Sequence, residues 1–320
     1  MGKAIIFSDV HLHIWGNFNV DLMRTRFSFE FIEDMFVKAH AQKVPLLFPG
    51  DLFHDPESIS NTLWSLFQPF ITDLFNRYPS VHIYAISGNH DMRETNSYLR
   101  RSPSYINTLS NTFKNFHCID FSSVDLGSFA LHGIPHITHN EGFMDAVRKI
   151  KKISGKPNIL MLHTDFKNQK DTNGIIIGKG TNVEEDVLAS FDLVLSGHVH
   201  KPGHLRSNIY SIGAPCQQRS SDMDGKFGYW NLKDDFSLNF KPINGPRFKT
   251  YKDASEIVSE PLVFWIKENV SSEDIDTGIE FTNVSDKFAV VRDYLSFIHN
   301  SSKLKHRYLN HLLNKLDETD

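Results

Sequence analysis

Short apolar runs that end in turns rich in histidine and aspartate recur along the first two thirds of the chain. Ala4–Phe7 leads into Ser8-Asp9-Val10-His11, and 44–48, interrupted by Pro45, leads into Gly50-Asp51-Leu52-Phe53-His54. The run 81–86 meets Ser87-Gly88-Asn89-His90-Asp91, and 158–162 meets His163-Thr164-Asp165. A fifth, 192–195, opens into Ser196-Gly197-His198-Val199-His200-Lys201-Pro202. Runs this short and apolar read as buried strands. Between them the apolar period lengthens to three or four. Residues 26–42 carry the stripe Phe27, Phe31, Met35, Ala39, and 58–77 carry Leu63, Leu66, Phe70, Leu74, with Ser58 or Ser60 placed to cap a helix. A further strand over 128–131 ends at His132, and 144–153 reads as a short basic helix.

After residue 200 the texture changes. The runs 208–212, 227–232 and 236–240 are short, separated by turn residues, and predict antiparallel strands that complete the sheets. A strand over 262–266 predicts a small appended unit. Ser285 is placed to cap a helix over 286–299, with Phe288, Val291, Leu295 and Ile298 in line, and 303–316 repeats the pattern with Leu309, Leu312, Leu313 and Leu316. Together they predict a helical hairpin. Between 286 and 316 six Lys/Arg stand against two Asp, a net of +4. This hairpin either packs on the protein's own core or presents a docking element or basic patch to a partner or DNA. The polar, mixed stretch 92–126 assigns to no element.

At 320 residues, one large α/β domain with a C-terminal addition is the natural partition. A hydrophobic fraction of 40% sustains a full core and excludes wholesale disorder. The net charge of −4 argues against a globally basic nucleic-acid coat protein while leaving room for a local basic face. Two cysteines, Cys118 and Cys216, make no disulfide framework, so a reducing, cytoplasmic location is expected. The apolar run at the start is too short for a signal peptide, and no stretch approaches the ~20 apolar residues of a membrane span.

The strand-end turns collect Asp9, His11, Asp51, Asn89, His90, His163, His198 and His200. In open α/β sheets the carboxyl ends of strands are where ligands bind. Carboxylate, amide and imidazole donors together suit borderline divalent cations such as manganese, iron or zinc. Setting His90 aside, seven donors exceed the needs of one tetrahedral ion, whereas two ions sharing a carboxylate use them all. His13 lies just past the Asp-x-His pair, and His132 and His136 have no carboxylate at useful spacing; none of the three is expected to be a ligand.

Asp9-Val10-His11, Gly50–His54, Gly88-Asn89-His90-Asp91, His163 and Gly197-His198-Val199-His200 resemble, in order, the five motifs of the calcineurin-like metallophosphoesterase superfamily. The resemblance covers roughly residues 1–245 and implies a four-layer αββα sandwich with a small C-terminal cap and helical extension. Its implied partition is a nuclease domain at 1–245, a cap at 246–284 and a partner-binding helical segment at 285–320. Three details lean toward the SbcD and meiotic-recombination-eleven type of DNA repair nuclease, phage relatives included. They are the stretch ending at His54, the Lys201-Pro202 tail, and Ile212-Gly213-Ala214-Pro215 before a strand near Tyr229.

What this resemblance implies is specific. Asp9, His11 and His200 would hold one metal ion, Asn89, His163 and His198 the other, and Asp51 would bridge. His90 would be general acid or transition-state stabiliser, oriented by Asp91, and His54 would help position the phosphate or the metal site. The two cations would be Mn2+. The activity would be 3′–5′ exonuclease and single-strand endonuclease, in a homodimer acting with an SMC-like coiled-coil ATPase. No Gly-x-x-x-x-Gly-Lys-[Ser/Thr] loop is present, so any ATP-driven step needs a second polypeptide. Two other readings remain: a small-molecule or nucleotide phosphodiesterase on the same fold, and a non-catalytic scaffold that binds an ATPase. A protein phosphatase fits less well, because that branch has Glu where Asp91 stands.

Overall fold

The computed structural model describes residues 2–267, apart from 17–18, 20–21, 93–102, 138–139, 167–184, 220–221, 224, 253–255 and 257–261. The two helices expected over 286–316 therefore lie outside the described residues, as does most of the expected 246–284 cap.

Two six-stranded sheets form the body. The first has the order β12-β11-β1-β2-β3-β4, and the second β5-β6-β7-β8-β10-β9. The strands of the first are β1 (Gly2–Ile6), β2 (Leu46–Phe48), β3 (Ile83–Ala85), β4 (Phe116–Cys118), β11 (Gly228–Lys233) and β12 (Leu238–Pro242). Those of the second are β5 (Ser122–Asp125), β6 (Ala130–Ile134), β7 (Asn158–His163), β8 (Leu193–Gly197), β9 (Gly203–Arg206) and β10 (Ile209–Ser211). β1 to β4 are parallel to one another, and so are β6, β7, β8 and β10. Parallel strands buried on both faces need apolar side chains on both, which is why these runs read as continuous rather than alternating. In β1, Ala4 and Ile6 face the second sheet while Ile5 faces outward, and in β7 Ile159 and Met161 face inward while Leu160 and Leu162 face outward.

Helices cover both outer faces. α1 (Met23–Gln42), α2 (Asn61–Arg77) and α3 (Tyr105–Thr112) lie on the first sheet, burying Phe29, Met35, Phe36, Leu63, Phe67, Leu74 and Ile106 against Ile5, Leu46 and Phe48. α4 (Asn140–Arg148) and α5 (Glu185–Ala189) bring Phe143, Val147 and Leu188 onto Leu160, Leu162 and Val194 of the second. The result is the expected αββα sandwich. Ser60 is the cap of α2, its hydroxyl accepting the Leu63 N–H at 3.2 Å. β11 and β12 are antiparallel, as expected. β10 is antiparallel to β9, as expected, and parallel to β8 on its other edge, because β9 turns the chain back first. Within the unassigned 92–126 lie α3, capped by Ser104, then β4 and β5. Beyond residue 245, β13 (Arg247–Tyr251) and β14 (Val263–Lys267) pair in parallel as a separate ribbon around Phe248, Phe264 and Ile266. Among the described residues no helix is long and apolar enough to cross a membrane.

Candidate metal centre

All five predicted turns, three from the first sheet and two from the second, meet at one place. The loops after β1 and β2 are zipped together: Asp9 N–H donates to the Gly50 carbonyl at 3.1 Å, His11 N–H to Asp51 at 3.1 Å, and Leu12 N–H to Leu52 at 2.8 Å. This zipper needs unusual backbone. Ten non-glycine residues among those described have a left-handed φ, and four of them are Asp9 (53°), His11 (49°), Asp51 (60°) and His198 (84°). Such conformations cost on the order of 1–3 kcal/mol each and persist where surroundings over-determine them, as at functional sites. Glycines make room. A Cβ on Gly88 would lie 2.1 Å from Asp51 Oδ1, and one on Gly50 would lie 2.6 Å from His163 Nδ1.

Two groups of donors form, with Asp51 between them. On one side His11 Nε2 lies 3.2 Å from His200 Nε2 and 4.0 Å from Asp9 Oδ1. On the other, Asn89 Oδ1 lies 3.1 Å from His163 Nε2 and 2.9 Å from His198 Nδ1. Asp51 Oδ2 reaches both, 3.7 Å from His11 Nε2 and 3.2 Å from His163 Nε2. The triads Asp9–His11–His200 and Asp51–His163–His198 each converge closely enough to hold an ion.

Burial sets the electrostatics. It pushes the Asp9 carboxyl up and holds His11 and His198 well below the usual imidazole value, hence neutral and able to donate a lone pair. Against the same burial, His163 beside Asp51 is raised to about 9, and Asp51 in turn is held far below the usual carboxylate range. Without a cation, the His163 imidazolium supplies the positive charge Asp51 requires. His11 Nδ1 and His54 Nδ1 are buried without a hydrogen-bond partner. Two carboxylates, an amide and four imidazoles at these distances fit a pair of divalent cations.

The remaining expected residues fall as follows. His90 lies edge-on to His11, ring centroids 4.8 Å apart, and its Nδ1 donates to the His54 carbonyl. The His54 ring stacks beside His90 at 5.3 Å, and His11, His54 and His90 form a third converging group. The expected orientation of His90 by Asp91 is corrected. The Asp91 carboxylate, 1% exposed, accepts the backbone N–H groups of Asp51 (2.7 Å), Leu52 (2.9 Å) and Gly88 (2.9 Å) and does not engage the His90 ring. Burial and the Asp51 charge push its carboxyl up to about 7, against the pull of those amides. Adjacency in sequence suggested a side-chain pair; the turn instead points Asp91 at the amides of the neighbouring loop.

His132 is turned away, its ring held between Ser123 Oγ (2.6 Å) and Asn158 Oδ1 (2.9 Å). His13 packs on Trp15 and His54, both at 5.1 Å, and Trp15 in turn sits 3.9 Å over the Arg24 guanidinium. His136 comes close without joining a converging group: its Nδ1 donates to the His163 carbonyl at 3.1 Å and its ring lies 5.5 Å from that of His198. Sequence reasoning missed Asp222, whose Oδ2 lies 2.8 Å from His200 Nδ1, and Gln218, whose Nε2 reaches the carbonyls of Asp9 (3.4 Å) and Val10 (3.3 Å). Neither follows an apolar run, the signal that marked the others.

The family model for the calcineurin-like phosphoesterases matches residues 2–202, more than half of the chain. The chain belongs to the calcineurin-like phosphoesterase family. Members are metal-dependent hydrolases, and the matched region holds every donor of the two groups. The chain is 23% identical over 209 residues to the SbcD component of the nuclease SbcCD of Staphylococcus saprophyticus, covering 59% of this chain and 55% of that protein. It spans about half the length of the curated relatives it matches. Among solved structures, a dimetal phosphatase from Danio rerio is similar over 71% of this chain and 91% of its own, at 11% identity and a TM-score of 0.44. A Pseudomonas putida nuclease, MPE, is similar over 65% and 66%, at 16% identity and a TM-score of 0.28. At these scores neither adds to the family assignment.

Proposed function

We propose that this chain is the nuclease component of a manganese-dependent DNA-processing enzyme. It hydrolyses phosphodiesters as a 3′–5′ exonuclease and single-strand endonuclease, and acts with an SMC-like ATPase in recombination or repair. The observation that carries the reading is the shared Asp51 between two donor groups. A cation pair held by these donors would neutralise charge on the attacking and leaving oxygens at phosphorus and lower the pKa of water.

The chain's own residues do the rest. Asp9, His11 and His200 would hold one cation, Asn89, His163 and His198 the other, with Asp51 shared between them. Asp91 fixes the amides of the Asp51 loop. His90, anchored at Nδ1 by the His54 carbonyl, would serve as general acid through Nε2 as the imidazolium, with both ring nitrogens carrying a proton. His54, beside it, helps orient the phosphate. The likeness to a component of SbcCD favours DNA over a small diester. The division at 1–245, 246–284 and 285–320, the docking of the ATPase on the last segment, homodimer formation and a cytoplasmic site of action belong to the same reading.

The test is to assay the full chain with Mn2+ on linear duplex and single-stranded DNA and on small diesters. DNA degradation that disappears in His90→Ala, with metal content unchanged, is the expected result. Turnover of small diesters alone would replace it with a nucleotide or small-molecule phosphodiesterase. Metal binding without turnover on any diester would make the chain a scaffold.

A further inference from the structure

The two donor groups are built alike around Asp51 but backed differently. His163 donates its Nδ1–H to a neutral acceptor, the Pro49 carbonyl, at 2.7 Å. His200 donates its Nδ1–H to a carboxylate, Asp222, at 2.8 Å. Asp222 is itself 3% exposed, and its Oδ2 also accepts the Gln218 N–H (2.9 Å) and the Arg219 N–H (3.2 Å). Two cations face it among the described residues: the exposed Arg219 guanidinium at 3.9 Å from Oδ1, and the largely buried Arg24, which donates to the Gln218 carbonyl of the same loop at 2.6 Å. The same loop clasps the Asp9 turn through Gln218.

We infer that Asp222 is a positioning residue that makes the two cation sites unequal, so that the Asp9–His11–His200 side fills first and more tightly. This rests on the two-cation reading of the site. Both rings have their tautomer fixed at Nδ1, and two further contributions favour the His200 side. At His200 the fixed tautomer leaves the Nε2 lone pair facing His11 Nε2 at 3.2 Å. A carboxylate behind a ligating imidazole makes that nitrogen a stronger donor, and losing such a partner typically weakens metal binding about 10–100-fold. The charge count agrees: one side has Asp9 in contact and Asp222 behind, whereas the other has the neutral amide of Asn89, and the Asp51 charge is common to both. A tightly held first cation and an exchangeable second one follow. The second site, beside which His136 packs on His198, is then the one whose occupancy responds to metal supply.

Calorimetric titration of the metal-free full chain with Mn2+ reads this directly. The wild type is expected to bind in two steps. Asp222→Asn keeps the size and an acceptor oxygen but removes the charge, and should weaken the first step about 10–100-fold while leaving the second in place. In an Asn89→Ala background, where only the Asp9-side step remains, the same change should weaken that single step equally. Asp222→Glu should recover most of the affinity. If Asp222→Asn fails to fold, Asp222→Ser against Asp222→Glu gives the same contrast. An unchanged first step in a variant that melts like the wild type would overturn the proposal, as would equal weakening of both steps. Fewer than two ions bound by the wild type would overturn the two-cation reading, and the proposal with it.

Discussion

The turns after β1 and β2 hold Asp9 and Asp51 through the backbone, whereas at the ends of β7 and β8 the rings of His163 and His200 are set by acceptors behind their Nδ1 atoms. In the first sheet, paired amides and carbonyls, three left-handed residues and the Asp91 cradle fix where Asp9, His11 and Asp51 stand. In the second, the imidazole of His163 is oriented by the Pro49 carbonyl of the first sheet, and that of His200 by Asp222. The difference follows from reach. A carboxylate on a short side chain goes where its backbone goes, while an imidazole rotates and is fixed by an acceptor behind it at His163 and His200. The two sheets also meet at Asp9, whose carboxylate accepts the His198 N–H of the second.

The largest effect should come from removing the residue common to both halves. Asp51→Ala is expected to lower DNA hydrolysis by roughly 10³-fold or more, a loss of the whole cation contribution rather than of one ligand. Steady-state kinetics check it; activity within tenfold of wild type would break the idea of a shared carboxylate.

Acidity probes the junction of the two sheets. With no cation bound, His163 carries a proton up to about pH 9, and cation binding must displace it. Manganese affinity should therefore rise with pH to about 9 and fall roughly tenfold per unit below it, as one proton is exchanged per ion. The metal-free fold should show the opposite trend. A raised histidine pKa contributes stability that is full below the unfolded value near 6.5 and is lost as pH rises through about 9. Melting of both forms across pH 6–9.5 separates the two, and parallel curves would contradict the His163–Asp51 pairing.

Gly88→Ala tests the backbone half. Its new methyl would meet Asp51 Oδ1 at 2.1 Å and the Asp51 backbone N at 2.6 Å, and that backbone atom has no flexible tip to yield. Overpacking of this kind costs about 1–3 kcal/mol, and metal affinity should fall with it. Wild-type melting and wild-type affinity together would show that this loop is looser than described. The smallest effect should be Ser60→Ala, at the α2 cap on the same sheet but away from the centre. A loss of about 1 kcal/mol in denaturant titration is expected, with metal binding untouched.

Much of this is legible in the sequence because chemistry-bearing residues directly follow apolar runs. Asp9, Asp51, Asn89, His163 and His198 stand within four residues of a strand end, so finding the strands finds the donors. Three things are not legible there. The direction of β10 relative to β8 depends on the two reversals that flank β9, at 198–202 and 207–208, and both outcomes use the same apolar pattern. The target of Asp91 is a set of amides about forty residues away, invisible beside the obvious neighbour His90. Asp222 sits on a loop whose polar sequence resembles any surface turn; only its burial against His200 distinguishes it.

An anomalous-difference map from a crystal of the full chain soaked in Mn2+ tests the central claim most directly. Two peaks roughly 3.5–4 Å apart are expected, flanking the Asp51 carboxylate. One peak should contact Asp9, His11 and His200, and the other Asn89, His163 and His198. A single peak, or two that share no contact with Asp51, would contradict the claim.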